Sequence, residues 1–189
     1  MTQMLLDAGL FDLGENRPQQ LWDKASALQD RGIRWHQIGH LQRNKLKRTL
    51  PLIHLLHAGD SPRLLTAVDE GAREADSKVS VLLEVNISED ESKHGFTATE
   101  LARQMPEMSQ LNNIRIVGLM GMASREGGLD SAQRDFAALA ELRETLRSAC
   151  PPNVELRELS MGMSGDFEVA IAEGSTIVRV GSAFFDGVL

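Results

Sequence analysis

Seven short apolar runs, at residues 11–13, 33–38, 52–57, 79–87, 114–122, 154–163 and 176–180, alternate with longer amphipathic stretches. Runs that are apolar on both faces fit strands buried in a parallel sheet, and the stretches between them fit the crossover helices such a sheet requires. Helix-start signals fall between the runs: Ser61 before Pro62, Thr97 with Glu100 as a capping box, Asp130 before Gln133, and Gly165 leading into residues 166–172. Repeated strand–helix units without a sign of reversed strand order favour a barrel over a doubly wound sheet. The expected fold is α/β, a TIM-type (β/α)8 barrel forming one domain over residues 1–189.

The beginning of the chain strains that expectation. Residues 1–10 read as the second half of a helix and run straight into the first strand, as if the chain began mid-unit. A closed barrel of this type has eight strands in about 250 residues. The expectation is therefore a barrel truncated at its N-terminus to about seven strands, its first strand upstream of Met1. The strands at Phe11 and Thr176 would then carry unpaired edges.

Composition excludes several function classes. With 42% hydrophobic and 25% charged residues the chain can bury one sizeable core. A net charge of −7 argues against nucleic acid as a partner, since phosphate backbones select clustered cations. The densest basic run, Arg43, Lys45, Lys47 and Arg48, fits a helix exposed on one face. No apolar run reaches membrane-spanning length and no charged-then-apolar leader opens the chain, so a cytoplasmic protein without a membrane partner is expected. The single cysteine, Cys150, precedes Pro151 and Pro152 at the end of a helical pattern and can form no internal disulfide.

Residues 159–185 are laid out as strand, Gly/Ser turn, helix, strand, Gly/Ser turn. Small residues free backbone N–H groups at a helix start, where the dipole adds positive potential, so Met163, Ser164 and Gly165 begin a candidate phosphate cradle. Gly181 and Ser182, after the next strand, can face the same spot. Consecutive strand ends sharing one anion occur after the last two strands of (β/α)8 barrels.

Polar residues inside strands need a reason, and here they are Asn16, His36, Glu84, Asn86 and Arg179. In the last strand Arg179 shares a face with Ile177 and Gly181, and it points inward if Val178 and Val180 meet the helices. An ion pair with Glu84 is the plain structural account of such an arginine. His36 suits either a barrel mouth or a core position, and Asn16 either a pocket or a turn. His54 and His57, three apart on a strand, face opposite sides and share no metal. Lys93 falls after a strand, where a solvated loop lysine accounts for it. Met163, with Met161, Met120 and Met122, also suits core filling.

The stretches DLGENRPQQLWDK (12–24), RWHQIGHLQRNK (34–45), VNISEDESKHGF (85–96), IVGLMGMAS (116–124) and LSMGMSGDFEVAIAEGSTIVRVGSAFF (159–185) resemble the pyridoxal-phosphate homeostasis protein family. The resemblance covers nearly the whole chain and implies a single barrel similar to the N-terminal domain of alanine racemase. It implies pyridoxal 5'-phosphate as cofactor, with Asn16, His36, Met163, Ser164, Gly165, Arg179, Gly181 and Ser182 as the binding residues. Arg179 would donate to the pyridine nitrogen and keep it unprotonated, because a guanidinium stays charged. The family's Schiff-base lysine, at the end of the first strand, has no counterpart after Met1. Where the family has Phe-Gly after the last strand, this chain has Phe185, Asp186 and Gly187.

The implied function is binding of the cofactor in vitamin B6 homeostasis, with no catalytic activity, by a monomer. A racemase-like enzyme is the alternative from another class. Racemisation of that kind needs a lysine and an opposing tyrosine base, and the chain has no tyrosine. A truncated gene model without function is a third reading.

Overall fold

The structure, a computed structural model, describes residues 2–88, 94–124, 126–185 and 187. Lys93 and Asp186, singled out in the sequence, lie outside the described residues. Among the described residues seven parallel strands form one sheet whose spatial order is their chain order: β1 (Asp12–Glu15), β2 (Arg34–Gln37), β3 (Ile53–Gly59), β4 (Val79–Val85), β5 (Ile114–Gly121), β6 (Val154–Met163) and β7 (Ile177–Arg179). A doubly wound sheet reverses its order at one point; this one never does. It curls into a nearly closed TIM-like barrel. Among the described residues β1 and β7 do not pair, and a cleft of about 410 Å³ between them is lined by Leu5, Leu13, Val178, Val180 and Phe184.

Helices fill the connections: α1 (Thr2–Asp7), α2 (Pro18–Ala27), α3 (Leu46–Thr49), α4 (Pro62–Glu74), α5 (Ala98–Gln104), α6 (Gly128–Arg147) and α7 (Phe167–Ala172). Ser61 caps α4 by accepting a hydrogen bond from the Leu64 amide, and Thr97 with Glu100 forms the reciprocal capping box of α5. Two starts differ from expectation. Helix α6 begins at Gly128, after Gly127 in the left-handed region at φ 94°, so Asp130 lies in the first turn. Helix α7 begins at Phe167, with Asp166 as its N-cap residue. Helix α2 carries no capping side chain; Pro18 in its first turn, after extended Arg17, is its start signal. The basic run is one exposed face of α3 and its flanking 3-10 turns, with Leu46 and Thr49 buried beneath and Arg48 stacked 4.2 Å from the Trp22 ring centre.

Alternation along the strands divides two cores. On β4, Val81, Leu83 and Val85 meet the outer helices with Leu65, Val68 and Leu101, while Leu82 joins Leu55, Val117 and Met120 inside the barrel. Glu84, two residues on from Leu82, therefore shares the inner face. None of the described helices is long and apolar enough to cross a membrane. Cys150 ends its helical segment with Sγ 3.3 Å from the Leu146 carbonyl, and burial pushes its thiol up.

Gly162 fixes where β6 hands over to α7. Its φ is +92°, and a Cβ there would stand 2.5 Å from the Ala170 Cβ. Gly174 has a similar φ of +89° but nothing within 4 Å of its would-be Cβ. Urea unfolding is expected to show Gly162→Ala destabilised by about 2 kcal/mol or more, and Gly174→Ala by about 1 kcal/mol, since only the first adds a collision to backbone strain. Equal losses would place the cost in the backbone alone.

Candidate functional site

A cleft of about 340 Å³ opens where the ends of β6 and β7 approach β1 across the gap. Asn16, His36, Met163, Arg179 and Gly181 line it together. Ser164 and Gly165 follow Met163 in one turn and Ser182 follows Gly181 in the other; these three lie beside the lining. Met163 is 42% exposed, so it faces the cleft and is not core filling, whereas Met161 and Met120 are buried. Asn16 is held by its backbone: the buried Gln37 side chain donates to the carbonyls of Asn16 and Gly39, both at 3.0 Å. Asn86 and Glu84 stand outside the cleft lining.

The two Gly/Ser turns converge. Ser164 Oγ accepts hydrogen bonds from the Gly181 amide at 3.1 Å and the Ala183 amide at 3.3 Å. Two N–H groups of the second turn thus aim at one oxygen contributed by the first, which is the disposition a phosphate oxygen needs. A Cβ added to Gly165 or Gly181 would meet nothing within 4 Å, so the space beside both is open. Helix α7 adds little dipole, because it has only six residues and Asp166 sits at its start, its carboxylate accepting from the Met163 amide at 2.6 Å.

Arg179 is held at the head of a hydrogen-bonded chain. It donates to the Ser160 carbonyl and hydroxyl, each at 2.7 Å, and to the Gly121 carbonyl at 3.0 Å. Ser160 Oγ is 2.8 Å from His57 Nδ1, His57 Nε2 is 2.9 Å from His36 Nδ1, and His36 Nε2 is 3.1 Å from Asp12 Oδ1. Both ends have fixed polarity, because a guanidinium only donates and an ionised carboxylate only accepts. With both imidazoles neutral, as their burial favours, the protons between them are thereby assigned. Ser160 accepts from Arg179 and donates to His57; His57 donates through Nε2 to His36; His36 donates through Nε2 to Asp12. Each imidazole then uses one N–H and one lone pair.

The charges agree with that assignment. Burial, and then the neighbouring His36 and Arg179, hold His57 well below the usual histidine range. Burial lowers His36 too, partly offset by Asp12. The Arg34 guanidinium bonds Asp12 and, with His36, brings its carboxyl down to about 2 against a smaller opposing effect of burial. Burial brings Arg179 down to about 10, opposed by Glu84 and Asp166, so it stays charged at neutral pH. The alternative account of Arg179, an ion pair with Glu84, is not what forms among the described residues: Arg179 bonds to Ser160 and Gly121, and Glu84 acts on it through space. Burial, with Asp60 nearby, raises Glu84 to about 7 despite Arg179.

Asp12, His57 and Ser160 escape a sequence reading that searches for ligands. His57 and Ser160 are buried polar residues within strands and carry the same signal as His36. The structure has His54 exposed and His57 buried.

A nearly closed parallel barrel with an arginine and paired Gly/Ser turns at its last two strand ends places the chain in the TIM-like α/β barrel class. The family described as alanine racemase, N-terminal domain, matches residues 8–187. A protein of Aquifex aeolicus (strain VF5) named pyridoxal phosphate homeostasis protein is 38% identical over 179 residues, 95% of this chain and 78% of its own length. The chain belongs to the pyridoxal phosphate homeostasis protein family, within that barrel class. PipY of Synechococcus elongatus PCC7942, solved without PLP, superposes with a TM-score of 0.92 at 34% identity, covering 97% of this chain and 86% of PipY. The same protein with PLP bound gives 0.90 at 32% identity, covering 97% and 85%. Alanine racemase of Clostridium difficile 630, at 14% identity and a TM-score of 0.72, covers 97% of this chain and 46% of its own and shares the fold.

Glu84 makes stability pH-dependent in a definite direction. Its folded value, about 7, exceeds the unfolded 4.5, so the native state holds more protons in between and stability falls as pH rises across that window. Glu84→Gln is expected to match the parent at pH 4 and to exceed it at pH 8 by an amount of order 3 kcal/mol. Chemical denaturation at both pH values checks this; a constant difference would mean that Glu84 titrates normally.

Proposed function

We propose that this chain binds pyridoxal 5'-phosphate in the cleft beneath Arg179 and serves cofactor homeostasis as a carrier, without a reaction of its own. The observation that carries this reading is the convergence of the Gly181 and Ala183 amides on the Ser164 hydroxyl, beside an arginine in the same cleft. Bound pyridoxal phosphate supplies an aldehyde able to react with amines. Ser164, Gly165, Gly181 and Ser182 are suited to take the phosphate, the amides donating and the hydroxyls turning to match. Asn16, His36 and Met163 are suited to flank the ring, and Arg179 to donate to its nitrogen.

Arg179 also bears on catalysis. A guanidinium that donates to the ring nitrogen cannot hand over its proton at neutral pH, so the nitrogen stays unprotonated and the ring is a weak electron sink. Ser160 and the Gly121 carbonyl hold the guanidinium in place, and the neutral histidine chain behind Ser160 supplies no competing cation. The same reading takes residues 1–189 as one barrel domain, monomeric and cytoplasmic, without a nucleic-acid partner, in keeping with the net charge of −7. Names of the homologues as homeostasis proteins, and PipY with PLP bound, support it.

An absorbance titration tests the site. Gly181→Leu is expected to weaken pyridoxal 5'-phosphate binding at least about tenfold while leaving thermal stability unchanged, because its Cβ enters open space beside the cradle. Pyridoxal, which lacks the phosphate, should bind parent and variant alike. Unchanged phosphate-ester affinity in the variant would remove the cradle from the proposal. Incubation of the cofactor-loaded chain with L-alanine should yield no D-alanine by chiral chromatography; turnover would favour the racemase-like reading.

A further inference from the structure

The ends of β2, β3 and β4 bring a second group of side chains together, outside the Arg179 cleft. His40 follows β2, Asp60 follows β3 and His94 lies beyond β4; none of them lines that cleft. One ligand-capable atom from each lies within 4.8 Å of the other two. His40 Nδ1 is 2.7 Å from Asp60 Oδ2, and the His40 and His94 rings face each other with centroids 4.9 Å apart and planes at 22°.

Each member is held by the fold. The Asp60 side chain is only 7% exposed, and its other oxygen, Oδ1, accepts from the Ser61 hydroxyl at 2.8 Å, which turns Oδ2 toward the imidazoles. The backbone just after His94 is pinned to β4: Phe96 N donates to the Glu84 carbonyl at 2.8 Å and Asn86 N to the Phe96 carbonyl at 2.9 Å. Both imidazoles are exposed at the rim, where rotation about their side-chain bonds is open to them.

Two imidazole nitrogens and one carboxylate oxygen are the donors that zinc-like cations select, and hard cations such as magnesium do not. Donors on bonds of about 2.1 Å in tetrahedral geometry lie about 3.4 Å apart, so the His40–Asp60 pair at 2.7 Å has to open slightly and the other pairs, all within 4.8 Å, need only small adjustments. The buried carboxylate argues against an anion in the same place. We propose that His40, Asp60 and His94 bind a divalent transition-metal ion of the zinc class. Three protein ligands leave a fourth position for water, and the ion would tie three successive strand ends together at the barrel mouth. The site is independent of the cofactor reading.

Untagged protein, stripped with chelator and dialysed, should take up one equivalent of zinc by calorimetry. Cobalt(II) should develop the intense visible absorption of a low-coordinate site, while magnesium gives no heat. His40→Ala and His94→Ala are each expected to weaken zinc binding at least about tenfold and to abolish the cobalt band. The melting temperature of His94→Ala in chelator should equal the parent's, because that ring is exposed and no hydrogen bond to Asp60 is lost with it, so its zinc loss reads binding and not folding. Absence of the cobalt band in the parent, or zinc affinity unchanged in both variants, would overturn the proposal.

Discussion

Arg179 is the charge around which the inside of this barrel is arranged. A guanidinium taken from water must find acceptors, and here they are the Ser160 carbonyl and hydroxyl and the Gly121 carbonyl, groups on β6 and β5. One side chain on a three-residue edge strand thus bonds two neighbouring strands near their carboxyl ends. Because β7 has only one hydrogen-bonded neighbour strand among the described residues, that cross-link bears on how firmly the edge is held. The cleft inherits its position from the same contacts.

The polarity of the hydrogen-bond chain follows from its ends. Arg179 can only donate and ionised Asp12 can only accept, so with both imidazoles neutral Ser160, His57 and His36 have one self-consistent proton arrangement. Burial disfavours charge on both histidines, and the arginine adds repulsion at His57. Glu84 responds in the opposite sense, its carboxyl raised by the same enclosed surroundings. Among the described residues the cleft lining therefore holds the charged Arg179 and the neutral His36 and His57, with the raised Glu84 carboxyl standing outside it. A cleft of that character favours an anionic ligand with a ring nitrogen able to accept a hydrogen bond.

Local rules account well for the elements. Strands β3 to β6 lie where apolar runs predict buried parallel strands, and Ser61 and Thr97 cap their helices because their hydroxyls have amides to satisfy and nothing nearer to bond. Asp130 misleads because it is an equally good first-turn acid, and Gly127, able to adopt a positive φ, takes the boundary. Met163 reads as core by type, yet it emerges at a strand end where the barrel stops and the cleft begins.

The order and type of the strands, the two Gly/Ser turns and the inward reach of Arg179 were determined by sequence alone, since they depend on period, residue size and alternation within a few residues. Only the tertiary structure decided the partners. Ser160 meets His57 across 103 positions, Arg179 meets Gly121 across 58, and His40, Asp60 and His94 gather from three separate loops. Which buried polar groups satisfy each other depends on strand register and barrel curvature, properties of the closed sheet that no local stretch of sequence carries.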